Sequence, residues 1–201
     1  MFRYDEPLLV VELSRLPPAS RVMFAASCAE RLRPLYRRYQ EVSDDAHPDQ
    51  LDVALEAAWG AALGAMHRED LSAWQDVAEG LVPDEDDECW VDEFAYGQNG
   101  AAAVAYALRT ALTSDPQEAA WAARQVYEAA DFAAQQQFLD LDLNAAGGED
   151  DVLSTPVVQE ALAGLGDALV TVQPRDLPLE RVVAEAREQA RQGGQRLAQL
   201  V

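Results

Sequence analysis

The residues best placed to do chemistry lie close together in FAASCAERLRPLYRRY, residues 24–39, where Cys28, Glu30 and Arg31 fall within one helical turn. A nucleophilic thiol needs its pKa lowered by a histidine, a cation or a helix N-terminus. Cys28 is mid-helix, beside Phe24, Arg31 and Leu32, with no histidine near it. That setting points to a buried, inert cysteine. Cys89 follows the acidic run PDEDDE, which would raise its pKa. Arg31, four residues after Ser27, is drawn inward. An interior guanidinium needs a carboxylate, and Asp52 or Glu56 on the next helix is expected to supply it. The Glu30–Arg31 pair is therefore read as a structural tie between the second and third helices. Arg33, Arg37 and Arg38 are expected to face water or the acidic loop.

Metal chemistry has weaker signals. His47 and His67 lack the Glu-x-x-His spacing of di-iron bundles, and two histidines with two distant cysteines lack the paired spacing of zinc sites. Asp140, Asp142 and Asn144 stand at positions one, three and five of a calcium-loop pattern. Ala145 replaces its glycine, and Asp151 stands where glutamate belongs. Glu128 and Asp131, three apart, could share a helix face as an acid/base or metal pair. A phosphate loop and a serine nucleophile elbow are both missing. No catalytic residue and no cofactor are expected. The alternative is a carboxylate-based, metal-dependent helical enzyme using Glu128, Asp131, Asp140 and Asp142.

Charge is the dominant feature. Acidic residues number 36 against 15 basic ones, all of them arginine, for a net charge of −21. Such a body repels nucleic acid and anionic membranes and attracts basic proteins. GC-rich coding, or solubility, would produce the same bias. The most concentrated acids, Asp84, Glu85, Asp86, Asp87, Glu88, Asp92 and Glu93, are the expected contact surface for a basic partner.

These groups must be held by helices. Alanine is abundant and β-branched residues are few, so an all-α bundle of seven to eight helices is expected, as a single domain over residues 1–201. Proline, glycine and acidic breaks place helices at 7–15, 19–42, from Pro48 through Leu63, 68–81, 91–113, 116–141, 156–172 and 179–200. Ser20 is expected to cap the second helix and Ser114 with Asp115 the sixth. Pro34 should kink the second near Glu30. Residues 145–151 read as a loop, and Gly193–Gly194 as an early end to the last, peripheral helix. Gly97 and Gly100 either weaken the fifth helix or admit a close neighbour. Alanine-lined helices also allow close contact between two copies, so a homodimer with a housekeeping scaffold role is a further expected reading. No apolar run approaches a membrane span, no signal-peptide layout is present, and two cysteines suit a reducing compartment, which together suggest the cytoplasm.

The run Phe24, Ala25, Ala26, Cys28, Glu30, Arg31, Leu32, Pro34 and Tyr36, preceded by Leu13 and Leu16, resembles the signature of the YjaG-like family of uncharacterised bacterial helical proteins. The resemblance continues loosely through LDVALEAAWGAAL and EGLVPDEDDE and weakens in the second half. It implies a compact all-helical domain and no catalytic residues. Some relatives are associated with immunity to secreted toxins, which adds an immunity-type protein to the expected functions.

Overall fold

The computed structural model describes residues 1–43, 49–84, 91–137 and 148–201. Among them lie nine helices and no strand: α1 (Glu6–Ser14), α2 (Pro18–Val42), α3 (Gln50–Ala62), α4 (Arg68–Gly80), α5 (Glu93–Thr113), α6 (Pro116–Gln137), α7 (Gly148–Leu153), α8 (Pro156–Thr171) and α9 (Leu179–Leu200).

α2 is the axis of the bundle, packing against α5, α9, α6 and α3. Its sequence explains this position. Pro18 opens it where a missing N–H costs nothing. Every residue from Val22 to Leu32 is buried, with Phe24, Ala25, Ala26 and Leu32 fully so. A helix carrying so little polar surface on any side is stable only when surrounded. The helix continues without a break through Pro34. Ser20 is not a cap: it lies inside α2 and is buried.

Small residues set the closest helix contacts. A Cβ on Gly97 would lie 2.6 Å from Tyr39 Cγ, and one on Gly100 2.9 Å from Tyr36 Cβ, so these glycines let α5 press against α2. The last helix does not end at Gly193–Gly194 but runs on to Leu200, and those glycines face α2. Nor is α9 peripheral, since Val182, Val183, Ala186 and Leu197 are buried in the common core.

Other boundaries differ for local reasons. Ser114 closes α5 in a left-handed conformation (φ 58°), leaving Asp115 to cap α6 by accepting from Gln117 N at 2.9 Å. The described part of the expected loop 145–151 is already helical, as the start of α7. Leu51, Leu55 and Trp59 point inward on α3 as their spacing of four requires, but Leu63 is the C-cap and is 39% exposed. Among the described residues no helix is long and apolar enough to cross a membrane.

Candidate functional site

The polar residues of α2 meet α3, α8 and α9 at a buried charged centre. Helix geometry sorts them. Successive side chains turn by about 100°, so Glu30 and Arg33 share a face while Arg31 leans to another. Glu30 has a fully buried side chain. It accepts a hydrogen bond from Trp59 Nε1 of α3 at 2.9 Å. Around the same carboxylate stand Arg33 Nη1, Arg191 Nε and Arg187 Nε, each 3.3 Å away. One acid thus joins α2, α3 and α9. Those arginines are shared outward: Arg33 forms a two-pronged pair with Asp52 at 2.6 and 2.7 Å, Arg37 adds a contact at 3.3 Å, and Arg187 pairs with Glu56.

The electrostatics follow the geometry. Hydrogen bonding to Asp52 raises the Arg33 pKa, and hydrogen bonding to Glu56 raises that of Arg187. Burial pushes the Asp52 carboxyl up, but the bonds and charges of Arg33 and Arg37 outweigh it and hold the group below its usual value. Glu56 is held low chiefly by its bond from Arg187.

Arg31 points inward, but the carboxylate expected for it went to Arg33. The tie between α2 and α3 runs through Glu30–Trp59 and Arg33–Asp52 instead. Arg31 is 1% exposed and donates from Nη2 to the Gly164 carbonyl at 3.0 Å, while its Nε has no hydrogen-bond partner. Desolvation lowers its pKa. The guanidinium fits only because α8 and α9 lack side chains there: a Cβ on Gly164 or on Gly193 would lie 2.6 Å from Arg31 Cζ. A Cβ on Gly194 would lie 2.6 Å from the Arg31 carbonyl oxygen. Arg37 does face water, at 58% exposed, while touching Asp52, but Arg33 is largely covered against Asp52 and Arg38 donates to the Ala198 carbonyl of α9.

Cys28 is buried beside this centre, and burial pushes its thiol up to about 12 against the opposing charge of Arg31. A thiol in that state is protonated and sealed from reagents, so the centre has no nucleophile. Its carboxylates Glu30, Asp52 and Glu56 are each held by arginine, and these pairs join α2 to α3 and α9.

The remaining candidates are scattered. Asp84 and Asp92 are exposed and Glu93 is in the first turn of α5. Glu85, Asp86, Asp87 and Glu88, with Cys89, lie outside the described residues, as do His47, Asp140, Asp142, Asn144 and Ala145. His67 precedes α4 at its N-cap without a side-chain bond, and Asp151 is exposed on α7. Glu128 accepts from Arg124 at 2.7 Å. Asp131 accepts from Gln135 at 2.6 Å and lines a cleft of ≈ 520 Å³ with Arg3, Tyr4, Tyr127 and Asp150. Among the described residues, no three histidine, cysteine or acidic side chains gather into a group able to hold a metal. Arg187 and Arg191 were not among the sequence candidates. Their spacing of four, which puts them on one face of α9, was the only signal of their shared role.

No curated protein matches the chain. The crystal structure of a DUF416 family protein from Shewanella baltica OS155 is similar to it with a TM-score of 0.74 and 17% sequence identity, covering 90% of this chain and 92% of that one. At that identity the likeness is one of fold. The family described as "Protein of unknown function (DUF416)" matches residues 9–196. With a match over nearly its whole length, the chain belongs to the DUF416 family, whose function is unknown.

Proposed function

We propose that the protein is a non-enzymatic, acidic interaction module that binds a basic protein partner. One observation carries this reading: each of its 15 basic residues, exposed or buried, has a partner within the chain. Arg21, Arg31, Arg38 and Arg68 are held by backbone carbonyls. The other arginines are held by carboxylates, from Arg3 with Asp150 to Arg196 with Glu160. The acids outnumber these pairings. On α4, Glu69, Asp70 and Asp76 are exposed, and among the described residues no arginine pairs with them. An outside partner therefore meets a surface whose cations are engaged within the chain and whose anions are in excess, which speeds and orients encounter with a basic protein.

The acids Asp84 to Glu88 with Asp92 and Glu93 belong to this proposed contact surface. A finer form of the proposal is an immunity-type protein that neutralises a basic toxin in the cytoplasm, in line with the YjaG-like resemblance. A neighbouring gene for a secreted basic toxin would support that form. The test of the general reading is affinity capture at low ionic strength, followed by measurement of the recovered partner's affinity across a salt series. The proposal expects a basic partner whose affinity falls as salt rises. Recovery of acidic or neutral partners, or an affinity indifferent to salt, overturns it.

A further inference from the structure

α1 is a helix with two apolar sides and one obvious partner. Leu13 is buried in the core and α1 packs on α6, yet Leu8 is 56% and Val11 46% exposed. A helix apolar on opposite sides is expected to be covered on both. Beside it runs an open groove of ≈ 270 Å³ between α1 and α8, formed by Phe2, Leu8 and Leu9 on one side and Leu162, Leu165 and Leu169 on the other. Phe2 and, next to Leu169, Val170 are also exposed, at 57% and 71%. Gly166 lies in the groove, and a Cβ there would meet nothing within 4 Å. Asp5 and Glu12 line the apolar floor, and the exposed Asp167 follows Gly166. Arg3, the cation of the lining, is turned onto Asp150.

We propose that this groove is the seat of the basic partner, and that it takes an amphipathic basic helix. The helix would place leucine-like side chains on the floor and lysine or arginine against Asp5 and Asp167, and against Glu12 in competition with its own Arg15. The inference rests on the proposed function and adds to it a location and a shape of ligand. The charge pattern is what selects the occupant. A second copy of this chain would bring the same acids face to face under two-fold symmetry, with −21 on each body. An anionic lipid surface would be repelled for the same reason. A basic amphipathic helix satisfies both the apolar floor and the acidic edge.

The test uses two synthetic amphipathic peptides of about four helical turns, one of Lys and Leu and one of Glu and Leu with the same apolar face. Binding to the full chain is followed by fluorescence anisotropy, with amide chemical shifts locating the contact. The Lys/Leu peptide is expected to bind at α1 and α8. Leu8→Glu and Gly166→Trp should each weaken it by about tenfold or more, while Gly166→Ala leaves it unchanged. Both positions are exposed, so circular dichroism and melting should show the variants folded. If the Lys/Leu peptide binds in a salt-sensitive way but ignores Leu8→Glu and Gly166→Trp, the groove is wrong while the charge-based reading stands. If the Glu/Leu peptide binds equally well, the charge-based reading itself falls. If neither peptide binds, or light scattering shows a dimer that Leu8→Glu dissociates, the proposed occupant is overturned.

Discussion

Removing the Glu30 carboxylate should destabilise the protein more than removing any other single acid. In Glu30→Ala, Trp59 Nε1 loses its acceptor and three guanidinium groups lose a common counter-charge. Breaking a buried ion pair by deleting one partner typically costs about 3–5 kcal/mol. Here the lower end applies. Arg33 keeps Asp52 and Arg187 keeps Glu56, and Arg191 is 45% exposed and can turn to water. A loss of about 3 kcal/mol in a chain of this size lowers Tm by roughly 6–12 °C. Glu30→Gln retains an acceptor for Trp59 and loses only the charge, so it should fall between wild type and Glu30→Ala. Thermal melts followed by circular dichroism, with urea titration to confirm an unchanged m-value, measure both. A Glu30→Ala variant melting within about 2 °C of wild type would refute the idea that this acid joins three helices.

Arg31→Met should be neutral or stabilising, because it replaces a buried cation without a carboxylate by an apolar chain of similar length, whereas Arg31→Ala should lower Tm by leaving a cavity; melts of the two variants decide this, and equal losses would contradict it. Gly194→Ala should be strongly destabilising, since its Cβ would meet the Arg31 backbone, while the penalty of Gly193→Ala should shrink in an Arg31→Ala background, a coupling that a double-mutant cycle reads directly. Asp52 has a depressed folded-state pKa, so its contribution to stability is present above its ordinary value near 3.8 and is lost as pH falls through the lower folded value. The Tm difference between wild type and Asp52→Asn should therefore be full at pH 7 and close as the solution is acidified; a difference that persists in strong acid would show that Asp52 acts through packing rather than charge.

Much of the fold was legible in the chain because proline and glycine mark it so plainly. Pro116 after Ser114-Asp115, and Pro156 after Thr155, start α6 and α8 where the sequence places them. Spacings of four correctly turned Leu51, Leu55 and Trp59 inward. Reading failed where one local pattern serves two physical ends. A Gly-Gly pair usually stops a helix, yet in α9 it makes room for a guanidinium from a helix about 160 residues earlier. The choice between Arg31 and Arg33 for Asp52 depended on which flank of α2 faces α3, and helix order in space is absent from a single sequence. For the same reason nothing marked Arg187 and Arg191 as partners of Glu30 until α9 was seen against α2. Glu30 and Arg31, read from the sequence as one pair, are two separate anchors: the first binds α3 and α9, the second α8.

The most direct test concerns the division between charges paired within the chain and acids left over on its surface. The affinity for the captured partner, measured from low to high ionic strength, reads that division in one experiment. Exterior acids acting on a basic surface predict a dissociation constant that rises about tenfold or more between 0.05 and 0.5 M salt. A dissociation constant that stays level over that range would mean that the surplus acids take no part in recognition, and the account would be wrong.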